Sequence, residues 1–270
     1  MPMVKTRDGT ELYVKGWGSG PAVILIHGWP LSADSWDDQA LALANAGHRV
    51  IFYDRRGFGR SSQPWNGYDY NTLASDLEAV IEATGASDPA LVGFSMGGGE
   101  VARYLGRGGK ARAAMLISAV TPYMEKTDDN PHGTPAAMFE TIKDGLRQDR
   151  PKFLAGFMRD FYGVGVLSHP VSDEVVQASV NDAMRAGLKG TLDCVTAFGE
   201  TDFRPDMAAF TMPTLIIHGT ADKTVPIDAA GRAAARLVPG SKLVELNGPH
   251  GLLATHKDEV SRELVSFLAG

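Results

Sequence analysis

The stretch LVGFSMGGGE, residues 91–100, crowds four glycines around a single serine, Ser95. An apolar run leads into it, and a run of helix-forming residues follows. In the pattern G-x-S-x-G the serine occupies a strained turn, and small neighbours let the strand and the helix approach closely. The bare pattern also occurs by chance, so its position between a strand and a helix decides its meaning. The stretch predicts a strand-turn-helix with a nucleophilic serine at the turn.

Six short apolar runs are spaced along the chain, each followed by a turn signal and then a helical pattern. They are PAVILIHG (21–28), HRVIFYD (48–54), ALVGFS (90–95), AAMLISAV (113–120), TLIIHG (214–219) and KLVELN (242–247). Runs that are apolar nearly throughout are typical of parallel strands covered on both faces. Near the start, KTRDGTELYVKGWG instead predicts a hairpin about Asp8 and Gly9. We therefore expect an α/β fold, with a mostly parallel central sheet flanked by helices.

One interval, from about Thr121 to Arg204, interrupts this alternation because it contains no convincing strand. Its aromatic and methionine residues lie among helix formers, and each of them is more often a core residue than a ligand contact. We expect a helical cap over residues 121–204, inserted between two parts of the core, residues 1–120 and 205–270. The alternative is a set of helices that simply packs on the core. Within the core, NTLASDLEAVIEATG predicts a helix that ends at Gly85.

Composition excludes several classes of protein. The 270 residues carry a formal net charge of −6 with no long run of one sign, which argues against nucleic acid or an anionic membrane as a partner. The single cysteine, Cys194, excludes an internal disulfide framework and a multi-cysteine metal site. No apolar run approaches the length of a membrane span, and the first residues lack an apolar signal region. We expect a cytoplasmic protein whose partner is a small molecule.

A serine hydroxyl is a weak nucleophile at neutral pH, so it needs a base and a group that orients the base. Asp222 follows the run TLIIHG, and His250 follows KLVELN in a loop flanked by glycines. Taken alone, Asp222 would be interpreted as a loop carboxylate or helix cap, and His250 as an exposed loop histidine. The order serine, aspartate, histidine after successive strands is a known order for a catalytic triad. The joint placement predicts that Ser95, Asp222 and His250 form one.

Acyl transfer through a serine also needs two N–H donors for the oxyanion of the tetrahedral intermediate. The N–H of Met96 follows the serine and lies at a helix N-terminus, where the dipole favours negative charge. HGWP, residues 27–30, follows an earlier strand and makes Trp29 the second candidate. Pro30 excludes helical backbone angles at Trp29, which would fix the directions of its N–H and C=O. A packing role for Trp29 is the alternative.

The other histidines and the stretch GFGRSS (57–62) are expected to be structural. His27 and His218 each precede a glycine at a strand end and should bond to turn backbone, whereas the other histidines have no obvious partner: His48, His132, His169 and His256. GFGRSS lacks the last glycine and the lysine of phosphate-binding loops. We expect a structural turn there, with Arg55 and Arg56 in ion pairs or backbone contacts. No H-E-x-x-H spacing predicts zinc, and the chemistry needs no metal.

Five stretches together resemble the α/β-hydrolase family, and in particular its cofactor-free bacterial haloperoxidases, or perhydrolases, with their aryl esterase and γ-lactamase relatives. They are HGWPLSADSW, YDRRGFGRSSQPWNGYDY, LVGFSMGGGE, GTADKTVPI and NGPHGLL. The resemblance covers nearly the whole chain, and YDRRGFGRSSQPW is its most specific part. It implies a helical cap, Ser95, Asp222 and His250 as the triad, Trp29 and Met96 as the oxyanion hole, no cofactor, and a homo-oligomer. The chain departs from the family mainly in the cap, so the acyl and alcohol preferences stay open.

The expected function is a serine hydrolase that forms an acyl-enzyme from a small carboxylic ester, which water or hydrogen peroxide then resolves. Peroxide would release a short acyl group as a peracid, which oxidises halide in solution. Pro30 either holds the Trp29 carbonyl as an acceptor for peroxide or only shapes its loop. Two alternatives stay open: a lactonase or γ-lactamase of the same fold, and a small-molecule receptor with little turnover. Haloalkane dehalogenases and epoxide hydrolases are excluded because they need aspartate where Ser95 stands.

Overall fold

Eight strands form one sheet within residues 3–270, which are the residues that the computed structural model describes. They are β1 (Met3–Lys5), β2 (Glu11–Trp17), β3 (Ala22–Ile26), β4 (Arg49–Tyr53), β5 (Ala90–Phe94), β6 (Ala113–Ile117), β7 (Thr214–Gly219) and β8 (Lys242–Leu246). Their order across the sheet is β1-β2-β4-β3-β5-β6-β7-β8. The strand pairs β1–β2 and β2–β4 are antiparallel, and every pair from β4 to β8 is parallel. The predicted hairpin and the predicted mostly parallel sheet are both confirmed.

The centre of the sheet is covered on both faces. Every residue of β3, β5, β6 and β7 is buried, as their apolar sequences predict. The prediction is wrong for β8, in which Lys242 and Glu245 are exposed and the other residues are half-buried. The physical reason is its position: β8 pairs only with β7 and forms the edge of the sheet. At this edge position, Leu243, Val244 and Leu246 are only half-buried.

Nine α-helices lie within residues 3–270. They are α1 (Asp37–Asn45), α2 (Tyr70–Thr84), α3 (Met96–Gly106), α4 (Ala136–Phe161), α5 (Asp173–Met184), α6 (Leu188–Glu200), α7 (Gly231–Leu237), α8 (Leu252–Thr255) and α9 (Lys257–Leu268). In this part of the chain, no helix combines the length and the apolar character that crossing a membrane requires.

Helix α2 shows how local sequence sets the ends of an element. The Asp69 carboxylate accepts hydrogen bonds from the N–H groups of Asn71 and Thr72 at 3.0 and 3.1 Å, which satisfies two donors that a helix start leaves free. Gly85 ends the helix in the left-handed region at φ 61°, as predicted. Leu73 and Leu77 lie on the buried face. The apolar spacing and the two capping residues together define this helix.

Between β6 and β7 the chain forms three helices, α4, α5 and α6, in the interval for which the sequence predicted helices and no strand. Helix α4 is kinked, because Asp149 has non-helical angles (φ −155°, ψ 82°) and Pro151 follows within the helix. The division into a core and a cap at residues 121 and 204 stays a prediction.

The block DRRGFGRSS after β4 is the structural turn that the sequence predicted. The Arg55 guanidinium forms a buried ion pair with Glu100 on α3. Arg56 donates two hydrogen bonds to Asp76 on α2, each of 2.6 Å, and one to Asp8 at 2.8 Å. These two arginines tie the turn to α2 and α3, so neither side chain is left to bind an anion.

Removal of the α2 cap should destabilise the fold by a small, measurable amount. Asp69→Ala leaves the two N–H groups without their acceptor, and we expect the free energy of unfolding to fall by about 1 kcal/mol. Asp69→Asn keeps an acceptor oxygen and serves as the control, with nearly wild-type stability. Urea unfolding followed by circular dichroism gives both values. Equal losses in the two variants would contradict the capping role.

Candidate active site

Ser95 lies at the turn between β5 and α3 with a strained backbone. Its angles are φ 52° and ψ −118°, a region that residues other than glycine rarely adopt. The flanking glycines make the turn possible: a Cβ on Gly93 would lie 2.6 Å from the Cα of Gly98, and one on Gly97 would overlap the Ile26 carbonyl oxygen. The close approach of strand and helix, predicted from the motif, is confirmed.

The structure brings together the three side chains that the sequence assigned to a triad. The His250 Nε2 lies 2.9 Å from the Ser95 Oγ, and the His250 Nδ1 lies 2.7 Å from the Asp222 Oδ2. Asp222 follows β7 and His250 follows β8, so the carboxyl ends of parallel strands position all three groups. Each residue is buried, and Ser95 retains 5% exposure. The contacts form one continuous hydrogen-bonded chain from Ser95 to Asp222.

The Asp222 carboxylate is held in its ionised form. Its Oδ1 accepts the N–H groups of Thr224 and Val225 at 2.9 and 2.8 Å. Burial alone would raise the pKa of Asp222, but the neighbouring rings of His250 and His218 hold that pKa well below its usual range. The His218 Nε2 lies 3.4 Å from the Asp222 Oδ2 and 2.9 Å from the Val225 carbonyl oxygen. Asp222 can therefore orient the His250 ring and stabilise a positive charge on it.

The loop after β3 fixes the orientation of the Gly28–Trp29 peptide group. The Gly28 carbonyl oxygen lies 2.9 Å from the His27 Nδ1 and accepts the Leu31 N–H at 3.1 Å. The Arg55 backbone N–H donates to the His27 Nε2 at 2.9 Å, so these partners assign the ring proton to Nδ1. Burial, reinforced by the Arg55 guanidinium, lowers the pKa of His27 well below its usual value and keeps the ring neutral. The predicted bond from His27 to turn backbone is confirmed.

Two backbone N–H groups near Ser95 are free to act as donors. Among the hydrogen bonds of residues 3–270, none involves the N–H of Trp29. Met96 is the first residue of α3, and the first N–H groups of a helix have no partner within the helix. The Trp29 side chain also has the packing role that the sequence left open, because its Nε1 donates to the Thr191 carbonyl oxygen at 3.1 Å. The Trp29–Pro30 peptide bond is cis.

Ser95 and Trp29 line a cavity of about 960 Å³, a size typical of ligand sites. Much of its wall is apolar, from Val120, Met124, Met138, Phe139, Ile142, Phe153, Phe157, Phe198 and Val225. Exposed charged residues also border it, namely Asp149, Lys152, Asp160 and Lys223. Phe153 and Phe157 are half-buried and pack against the core, as the sequence predicts, and they also line the cavity with 6.0 Å between their ring centres. Pro30 is not among the lining residues, so it can act only through Trp29.

Comparison with known proteins identifies the family. Residues 21–257 match the alpha/beta hydrolase fold family. The chain belongs to this family. It is similar to the bromoperoxidase of Bacillus anthracis, with 46% identity, a TM-score of 0.96 and 99% of both chains covered. It is 42% identical to the non-heme chloroperoxidase of Kitasatospora aureofaciens and 39% identical to the bifunctional esterase/perhydrolase of Acinetobacter calcoaceticus, with 99% of both chains covered in each case.

Sequence reasoning missed two residues that confine the triad histidine of this alpha/beta hydrolase. The His250 ring lies 5.3 Å from the Phe94 ring and 4.9 Å from the Phe161 ring, measured between centres. Phe94 lies within G-x-S-x-G, but the motif leaves its position unspecified. Phe161 ends α4, and no sequence signal relates it to a loop 89 residues further on at His250. These two aromatic rings pack against the imidazole, while Asp222 bonds to its Nδ1.

Asp222 should contribute to the pH dependence of stability. A carboxyl whose pKa is lowered on folding stabilises the native state fully above its unfolded pKa of about 3.9, and the contribution is lost as the pH falls towards the lower folded pKa. Asp222→Asn should therefore flatten the decline of unfolding free energy below about pH 4. Urea titrations at about pH 7, 4 and 3 compare the two slopes. Parallel acid slopes for wild type and variant would contradict this assignment.

Proposed function

We propose that this alpha/beta hydrolase cleaves small neutral carboxylic esters through an acyl-enzyme on Ser95, and that hydrogen peroxide can replace water in the second step. The observation that carries the proposal is the continuous chain from Ser95 through His250 to Asp222, whose serine end opens into the cavity. The esterase, perhydrolase and haloperoxidase names of the relatives support it.

In the first step, the Ser95 Oγ attacks the ester carbonyl carbon while its proton passes to the His250 Nε2. The negative charge develops on the carbonyl oxygen, where the N–H groups of Trp29 and Met96 would stabilise it. Ionised Asp222 stabilises the imidazolium. The C–O bond to the alcohol then breaks, and the alcohol oxygen takes the proton from His250. The product of this half-reaction is an acyl group bonded to the Ser95 Oγ.

In the second step, His250 removes a proton from water, the resulting oxygen attacks the acyl carbon, and the Ser95 Oγ leaves with the proton. When hydrogen peroxide attacks instead, the same bond changes release a peracid. The peracid carries its oxidising O–O bond out of the site and oxidises halide in solution, returning the carboxylic acid. This route needs no metal or haem. Pro30 would favour peroxide by fixing the Trp29 carbonyl as a hydrogen-bond acceptor.

Several further expectations from the sequence stay predictions. A lactonase, a γ-lactamase or a receptor with little turnover would use the same three side chains, and no contact among residues 3–270 favours one of them over the esterase. A cytoplasmic location and a homo-oligomer are predicted from composition and from the family resemblance. A panel of esters, lactones and lactams, each with and without peroxide, would distinguish the enzymes, and tight binding with a stalled acyl-enzyme would indicate the receptor.

Ser95→Ala should abolish ester hydrolysis. Loss of the nucleophile is expected to lower kcat/KM for p-nitrophenyl acetate by roughly a thousandfold or more. Ser118→Ala is the matched control, because Ser118 is another buried serine at a strand end and its Oγ has no hydrogen-bond partner within residues 3–270. Equal turnover by wild type and Ser95→Ala would overturn the nucleophile assignment. Monochlorodimedone bromination that persists in Ser95→Ala would overturn the peracid route.

Pro30→Leu tests the peroxide role separately. Leucine removes the restriction on the Trp29 backbone, so the Trp29 carbonyl loses its fixed direction. We expect the ratio of perhydrolysis to hydrolysis to fall, measured as peracetic acid and acetic acid formed from one acetate ester in peroxide. The ratio is the readout because a general loss of activity lowers both products together. An unchanged ratio would assign Pro30 to loop shape alone.

A further inference from the structure

Helix α4 lines the cavity with one face of its second half. Lys152, Phe153, Gly156, Phe157 and Asp160 all border the cavity, and their spacing of three and four residues puts them on one side of the helix. Gly156 stands in the middle of this stripe. The two aromatic rings beside it, Phe153 and Phe157, stack at 6.0 Å between centres with an interplanar angle of 20°.

Neither the backbone nor the packing of α4 explains a glycine at position 156. Glycine inside a helix is less favourable than alanine. The helix-interior Gly156 has no positive φ, and within 4 Å a Cβ placed on it meets no atom of residues 3–270 apart from its chain neighbours and the adjacent backbone of α4 itself. Gly145, on the other side of the kink, differs because a Cβ there would overlap the Phe153 ring. Gly145 makes room for a neighbour, whereas Gly156 leaves space open to the cavity.

The open space has a definite chemical character. Gly156 is exposed, so the space lies where the cavity meets solvent. Phe153 and Phe157 offer it apolar surface. Lys152 and Asp160, four residues before and after Gly156, carry opposite charges, so together they favour neither an anion nor a cation. A cavity of about 960 Å³ also far exceeds the needs of an acetyl group.

We propose that Gly156 is a specificity-determining residue, and that the slot it leaves beside Phe153 and Phe157 admits the larger, neutral and apolar group of the substrate. That group is an aryl ring or an alkyl chain of medium length. The proposal rests on the ester hydrolysis proposed above for the identity of the reacting group. Beyond ester hydrolysis itself, the proposal is that the chain hydrolyses esters whose acyl or alcohol group is bulky and apolar, and that helix α4 selects these esters.

The decisive variant is Gly156→Leu, with Ala155→Leu as the matched control. Ala155 is the preceding residue of α4; it is exposed and does not line the cavity, so the control adds leucine away from the slot. Because leucine has a higher helix propensity than glycine, we expect Gly156→Leu to fold. Circular dichroism would check that both variants are folded. Two pairs of substrates separate the two sides of the ester: p-nitrophenyl octanoate against acetate for the acyl side, and 2-naphthyl acetate against phenyl acetate for the alcohol side.

Gly156→Leu should lower the ratio of kcat/KM for the bulky to the small substrate by roughly tenfold or more in one pair, since a filled apolar slot discriminates by this order. The pair that responds identifies the side of the ester that lies in the slot. Ala155→Leu should keep both wild-type ratios. If folded Gly156→Leu also keeps both ratios, the proposal is wrong, even though ester hydrolysis stands.

A binding measurement keeps this test independent of turnover. In the Ser95→Ala background, the uncleaved octanoate and naphthyl esters are titrated calorimetrically with and without Gly156→Leu. We expect Gly156→Leu to weaken the binding of at least one of the two bulky esters. If the wild-type chain hydrolyses no ester, the proposed function fails, while weaker binding to Gly156→Leu still supports the slot. Equal dissociation constants for both esters would overturn the slot.

Discussion

The close contact between the end of β5 and the start of α3 is the constraint on which the site depends. Ser95 can hold its strained, positive-φ backbone only because two neighbours lack side chains. A side chain on Gly93 would clash with the start of α3, and one on Gly97 would clash with the Ile26 carbonyl oxygen. This contact aims the Ser95 Oγ at His250 and starts α3 with the free N–H of Met96. One local packing arrangement thus sets the positions of the proposed nucleophile and of one proposed oxyanion donor.

The sequence predicted the parts of this site that follow from strand ends and glycines. Asp222 and His250 could be found because each follows a recognisable apolar run, and parallel strands bring their carboxyl ends to one edge. Gly85 ends α2, and Asp8 and Gly9 lie in the turn between β1 and β2, as expected. Both features could be predicted because capping and turn chemistry are local. The edge position of β8 was not predictable from its own residues, because an apolar run does not reveal how many neighbours a strand has.

The cavity wall was harder to predict because the sequence of α4 does not reveal which other elements its faces contact. Phe153, Phe157 and Phe161 have the sequence signal of core residues, yet the first two line the cavity while the third packs on His250. Helical periodicity assigns such residues to a face but does not say what that face meets. The candidate triad therefore follows from local pattern, whereas the cavity wall follows from the long-range arrangement of α4.

The loop after β3, which carries Trp29, is linked to the buried core as well as to the cavity. The Arg55 guanidinium donates to the His27 carbonyl at 2.6 Å, its backbone N–H fixes the His27 ring, and that ring holds the Gly28 carbonyl. Glu100 pairs with the same guanidinium and also accepts the Tyr53 hydroxyl at 2.8 Å. A buried pair that loses one partner leaves an uncompensated charge, and the surroundings must rearrange around it. The direction of the Trp29 N–H consequently depends on an ion pair that does not touch the cavity, so the turn after β4 helps to position one donor of the proposed oxyanion hole.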